Sequence, residues 1–161
     1  MRIIISLIIV CLYFVNARGE EKQTNQLEIA VKSSLSLYVQ ERKEAVRKTT
    51  EKNELFFSMV GYPLYFDFGS KIEGLTLKFI NLQNDPVSEK LLKKGVDVVS
   101  LDSIELKKNQ LTIVFTCHFT KLKKGILSMK IKESTSFIYE YSCAKEEWLY
   151  VRQNMNTVEI D

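Results

Sequence analysis

The stretch 103-SIELKKNQLTIVFTCHFTKLKKGILSMKIKESTSFIYEYSCAKEEWLYVRQ-153 decides the fold. It reads as consecutive antiparallel strands separated by short polar turns. Ile104–Leu106 runs through Lys107-Lys108-Asn109-Gln110 into Leu111–Thr120, and Gly125–Lys132, Ser136–Cys143 and Glu147–Arg152 follow. Successive side chains on a strand point to opposite faces. Leu111, Ile113, Phe115, Cys117 and Phe119 therefore share one face, and Thr112, Val114, Thr116, His118 and Thr120 the other. Leu127, Met129 and Ile131 extend the apolar face against Ser128, Lys130 and Lys132. Phe137, Tyr139, Tyr141 and Cys143 do the same against Ile138, Glu140 and Ser142. One face is aromatic and calls for burial; the other is β-branched, hydroxyl-rich and charged. A one-sided antiparallel sheet covered by helices is an α+β arrangement, here with four to six strands.

The covering material lies upstream. Leu27, Ala30, Val31, Leu35, Tyr38 and Val39 recur at three- and four-residue steps, which predicts a helix over Asn25–Arg47 packed by one face. Its start has Thr24 or Asn25 as a cap. Thr50 followed by Asn53-Glu54 predicts a short second helix through Val60, stopped by Gly61. Tyr62-Pro63 then forces extension, and Leu64–Phe68 reads as an edge strand, because proline cannot donate to a ladder. Ile72–Leu82 carries both periods. Leu75, Leu77 and Phe79 alternate like a strand, while Ile72, Leu75, Phe79 and Leu82 sit at helical steps. The helical reading is preferred, since Asp85-Pro86 caps a helix that Gly95 ends. Val96–Ser100 is extended and enters the sheet.

Composition is that of one ordinary globular domain, and a formal charge of +3 is too small an excess to suggest a nucleic-acid partner. Lys121, Lys123 and Lys124 cluster in an expected turn, where solvation accounts for them. Met1-Arg2, the apolar run Ile3–Val15 and Val15-x-Ala17 fit a secretory signal peptide cut after Ala17. The run is short of the about 20 apolar residues that a bilayer span needs. Val10 before Cys11 is unlike a lipid-attachment signal. The expected organisation is a signal peptide over 1–17, a linker over 18–24, a domain over 25–153 and a tail over 154–161, exported to a periplasmic or extracellular space.

Reactive residues are few. A strand between those of Cys117 and Cys143 would hold them about 9–10 Å apart or more, beyond the roughly 7 Å that a disulfide spans between α-carbons. A non-sequential strand order would bring the bond back. Cys117 and His118 are neighbours on one strand and face opposite ways, so they cannot form a nucleophile–base pair. One histidine and two separated cysteines make no zinc site, and no phosphate-binding glycine loop occurs. No metal or cofactor is therefore expected.

The order of elements resembles the NTF2-like (cystatin-like) fold, including its small exported bacterial members. The resemblance is carried by a helix, a short helix ending at Val60, the turn Gly61-Tyr62-Pro63-Leu64, a helix near Asp85–Lys94 and a closing meander with Trp148 on its last strand. It covers about Asn25–Arg152 and implies a curved sheet and helices forming a cone with an apolar pocket. Tyr65, Phe115, Phe119, Tyr139, Tyr141 and Trp148 are the candidate lining. The resemblance also implies, in enzymes of this kind, a carboxylate or an Asp–His pair inside the cone. By parity His118 falls outside it, and Asp67 is the best remaining carboxylate. The leading expectation is a non-catalytic exported domain that recognises a protein, as an inhibitor or immunity-type partner does. Binding of a small apolar ligand is the alternative, and proton transfer by Asp67 with Tyr65 or Tyr139 is a third. The outer face of Thr112, Val114, Thr116, Ile138 and Lys130 is the expected surface of a homodimer. A filled interior favours surface recognition, an open one a ligand, and an imidazole beside an acid at the foot of a cleft favours catalysis.

Overall fold

The computed structural model describes residues 26–42, 53–58, 66–80, 82 and 86–157. The chain folds as α+β. A first helix, α1 (26–42), precedes β1 (Glu54–Ser58), β2 (Lys71–Ile72) and β3 (Leu75–Phe79). A second helix, α2 (Pro86–Lys94), leads into β4 (Val96–Lys107), β5 (Gln110–Lys123), β6 (Ile126–Ser142) and β7 (Glu147–Thr157). The strands form one curled sheet of seven, in the order β2-β3-β1-β4-β5-β6-β7. It is mixed: β1 runs parallel to both β3 and β4, and every other pairing is antiparallel. Seven strands exceed the four to six read from the sequence.

The additional strands come from two segments read as helical. Leu55 and Phe57 are buried and Leu75 and Leu77 likewise, so both segments alternate as strands do. β1 lies between two parallel neighbours, and strands in that position read as nearly continuous apolar runs, easily mistaken for helix. Within Ile72–Leu82, Glu73 and Gly74 both hold positive φ, 48° and 81°. That is the two-residue turn whose twist matches a hairpin, and it closes β2 onto β3. Phe66 and Phe68 are buried, but Phe66–Phe68 joins no ladder. The α2 helix and the extension after Gly95 occur as read, and β7 continues through Thr157 into the expected tail.

β6 is a single strand of 17 residues rather than two. Its pairing with β5 contains one extra residue. Cys117 stands opposite Glu133 and His118 opposite Ile131, so Lys132 is bulged. A bulge shifts the alternation by one and sharpens the local twist. Glu133, Thr135, Phe137 and Tyr139 share the face of Phe115, whereas Met129 and Ile131 share the face of His118. The expected continuation of the aromatic face through Leu127, Met129 and Ile131 is thus reversed, and Lys130, expected outside, pairs with Phe119 on the other face. Asp102 in β4 and Val151 in β7 are bulged likewise.

The buried side of α1, made by Ala30, Val31, Leu35, Tyr38 and Val39, packs in one cluster with the concave face of the sheet. Phe115 is its centre. The ring lies 6.0 Å from those of Tyr38 and Phe137 and 6.1 Å from that of Phe57. All four side chains are at most 2% exposed. The opposite face is also partly closed: Val98, Thr116, Thr120 and Ile138 are buried, and α2 runs beside β5.

Gly95 ends α2 with φ +82°, and a Cβ there would stand 2.6 Å from Phe119 Cζ. Gly95→Ala is expected to lower stability by about 1–2 kcal/mol. A Phe119→Ala background should leave most of that loss in place, because the strain lies in the backbone. Urea midpoints of the two single variants and the double variant check this.

Candidate functional site

α1 and the β6–β7 hairpin enclose a half-open cleft of about 370 Å³. One wall is the first two turns of the helix, with Gln26, Ile29, Ala30 and Ser33. The other is Tyr139, Trp148 and Tyr150, closed at the end by Lys145 and Glu146 of the turn and by Glu147, where β7 starts. The aromatic wall follows from ladder register. Tyr139 is opposite Tyr150 and Tyr141 opposite Trp148, and the two pairs meet edge to face at 5.7 Å and 5.2 Å. Gln26 Nε2 donates to the Glu146 carbonyl and ties the helix start to the turn.

The hydroxyl at the cleft floor is already committed. Tyr139 Oη lies 3.1 Å from the Ala30 carbonyl and 2.8 Å from Ser34 Oγ, which itself lies 2.8 Å from the same carbonyl. Two hydroxyl hydrogens serve three short contacts, so Tyr139 fastens β6 to α1 and has none to spare for a ligand. The exposed part of the wall is Tyr150. Its phenol is pushed up by partial burial first and by Glu41 second.

A second polar assembly sits at the other end of α1. Arg42 pairs with Glu133, and Tyr38 Oη donates to Glu133 Oε1 at 2.6 Å. The Arg42 guanidinium lies 4.9 Å from the Tyr38 ring centre and donates to Met155 Sδ at 3.6 Å. Its Nε is buried with no hydrogen-bond partner among the described residues. Gln153 Nε2 donates to Glu41, which adds a further tie from β7 to the helix. The bulged Lys132 reaches Asp97 at 2.8 Å. Cys117 faces this group. Burial pushes its thiol up to about 11, Asp97 adds to the rise, and Lys132 and Arg42 pull against it. A thiol so placed is a neutral core group, not a nucleophile. Tyr38 is raised further, again mainly by burial.

His118 lies on the other face, half-buried. Its Nε2 is 3.0 Å from Ser100 Oγ, which donates to Asp102 Oδ1 at 2.7 Å; Nε2 and Oδ1 are 3.9 Å apart. The imidazole therefore does have an acidic neighbour. In a serine–histidine–acid triad the acid holds the far ring nitrogen and the near one takes the serine proton. Here acid and serine share the Nε2 side, and Nδ1 is buried with no partner among the described residues. With the hydroxyl hydrogen given to Asp102, Nε2 must carry the ring hydrogen and donate. Such a histidine does not activate Ser100.

The expected lining residues separate. Phe115 is wholly buried, Tyr139 and Trp148 border the cleft, and Tyr141 stands beside Trp148. Phe119 leans on Gly95 and is 39% exposed. Tyr65 lies outside the described residues. Asp67 is exposed and accepts from the Gly69 amide at 2.9 Å, as in a local turn. Cys117 and Cys143 are both free. β5 and β6 are direct neighbours, so no strand intervenes, but Cys143 lies ten residues beyond Glu133, the partner of Cys117. At a strand's rise that is roughly 33 Å. Sequence reasoning missed Arg42, Glu133 and Asp102, whose only signal was a charge inside or next to a strand or helix. Among the described residues no group of three or more His, Cys, Asp or Glu comes together for a metal, and no helix is long and apolar enough to cross a membrane. Comparisons with protein-family models, curated proteins and solved structures return no match.

Two outcomes follow from the buried assembly. Glu133→Ala leaves the half-buried Arg42 charge unpaired and should cost about 1–3 kcal/mol in urea denaturation. The Cys117 thiol ionises in the unfolded chain near 9 and in the folded chain near 11. Between those values the folded chain holds more protons, so stability falls as pH rises, by up to roughly 2–3 kcal/mol from this group. Denaturation from pH 8 to 11 should show a shallower fall in Cys117→Val.

Proposed function

We propose that this chain is an exported, non-catalytic domain that recognises another protein, as an inhibitor or immunity-type partner does, through the surface around the α1–β7 cleft. The observation that carries this reading is the filled interior. Tyr38, Phe57, Phe115 and Phe137 occupy the space between α1 and the sheet, where an NTF2-like cone would hold its pocket. Recognition is then left to the outside. The cleft mouth offers Ile29 and Tyr150, both exposed, beside the charged Lys145 and Glu147. An apolar and aromatic centre with a polar rim is what protein interfaces use. The NTF2-like reading draws support from a curled sheet wrapped on one long helix. The parallel strand β1 departs from the two-helix entry that the resemblance implies. Export rests on the apolar run before Ala17.

The alternative is a small apolar ligand in the cleft itself, supported by its aromatic wall and by a volume within the usual range for such sites. The proton-transfer reading is the weakest, since Asp67 is exposed and turned into its own loop.

A chain beginning at Arg18, immobilised and exposed to the secreted fraction of its source, should enrich one partner. Tyr150→Ala should weaken that capture by about 2 kcal/mol, roughly thirtyfold, with an unchanged circular dichroism spectrum. Reproducible failure to enrich any partner counts against recognition. A bound small molecule in a native mass spectrum, lost in Trp148→Ala, would favour the ligand instead.

A further inference from the structure

The hairpin of β5 and β6 outruns its neighbours. β4 begins with Val96 opposite Thr120, and among the described residues the last pair of β7 is Thr157 opposite Glu133. Among the described residues, Lys121–Lys123 and Ile126–Ser128 pair only with each other across the turn Lys124-Gly125. This projecting end lies at the opposite end of β6 from the cleft. Residues 121–132 hold five lysines and no acidic residue. Taking these five from the 23 basic residues of the chain leaves 18 against 20 acidic, so the excess positive charge of the protein is located here. Lys132 is held by Asp97, while Lys121, Lys123, Lys124 and Lys130 make no ion pair among the described residues.

The bulge at Lys132 sorts the projecting ribbon into two faces. Leu122, Leu127, Met129 and Ile131 lie on one, and Lys121, Lys123, Ile126 and Lys130 on the other. The apolar face is partly open: Leu122 and Leu127 are half-buried, while Met129 is 44% and Ile131 47% exposed; Ile126 beside the turn, opposite Lys123, is 72% exposed. We propose that this hairpin end docks on an anionic lipid surface. Ile126 and the Met129–Ile131 face enter the headgroup region, and the lysines stay at the level of the lipid phosphates, the stem of Lys123 lying beside Ile126. A projecting tip that sets an exposed isoleucine beside Lys123 at its turn suits a deformable surface, which needs no matching pocket. Lysine, a point charge without the planar fork of arginine, suits attraction to a diffuse anionic layer. A nucleic-acid duplex would leave the apolar face in water. This inference is independent of the reading of the cleft.

The test uses the full-length chain carrying Ile126→Trp, with brominated lipids as quenchers, so that the signal comes from the hairpin whatever Ile3–Val15 does. Wild type, with Trp148 alone, supplies the baseline. Vesicles of 30% phosphatidylglycerol in phosphatidylcholine should quench the added tryptophan, and pure phosphatidylcholine should not. Adding Lys121→Gln, Lys123→Gln and Lys124→Gln should weaken the partition read at this site by roughly a hundredfold, as each lysine near such a surface is worth about fivefold. Met129→Ser with Ile131→Ser should also weaken it, without changing the melting temperature. Absence of quenching while the chain sediments with the vesicles overturns the proposal, as does equal quenching by neutral lipid. Protection of the same tryptophan by duplex DNA or polyglutamate, with vesicles inert, assigns the hairpin to another polyanion and overturns it equally.

Discussion

Lys132 is one residue more than the β5–β6 ladder has room for, and the molecule is arranged around that excess. An uninterrupted strand would have set Met129, Ile131, Phe137 and Tyr139 on one face. The bulge turns over everything before it. From Glu133 onward the inward residues meet α1, and before it they are turned away. Lys132 itself is anchored by Asp97 on β4, so the extra residue is held from the neighbouring ladder. Together with the bulges at Asp102 and Val151 it curls the sheet around one helix.

The shift brings a carboxylate into the core. Glu133 is buried opposite Cys117, and a lone buried carboxylate would be prohibitive. Arg42 and Tyr38, one helical turn apart on α1, supply the opposite charge and a hydroxyl donor. The arrangement does for the C-terminal end of α1 what Tyr139 and Ser34 do nearer its start. Two polar fastenings flank the aromatic cluster at Phe115 and fix the helix along and across the sheet. A buried ion pair adds little net stability, but it penalises any register that separates its partners.

These commitments bear on chemistry. Among the described residues, several groups that could have been reactive are used structurally. Cys117 is a neutral thiol buried opposite Glu133, Tyr139 spends its hydrogen on the helix, and His118 donates to a serine whose own hydrogen goes to Asp102. Among the described residues, two surfaces remain available at the ends of β6: the aromatic cleft beside its last residues, and the basic, apolar hairpin at its first. Both suit contact with other molecules.

Hydrophobic period alone determined much of this protein. It placed α1 and α2, the antiparallel meander from Val96 onward, the inward set Leu111, Ile113, Phe115 and Cys117, and His118 on the face away from them, because period and turn residues are local properties. The aromatic cleft was half legible, through Tyr139, Tyr141 and Trp148, since cross-strand neighbours share a face. Only tertiary structure decided the rest. Leu55–Phe57 is a strand because parallel neighbours stand on both sides of it, a non-local condition that outweighs helical spacing. The pairing of Arg42 with Glu133 joins residues 91 positions apart, and no pattern in either segment announces the other. The bulge at Lys132 is invisible in an alternating run, because one inserted residue changes which face a side chain takes without changing its type.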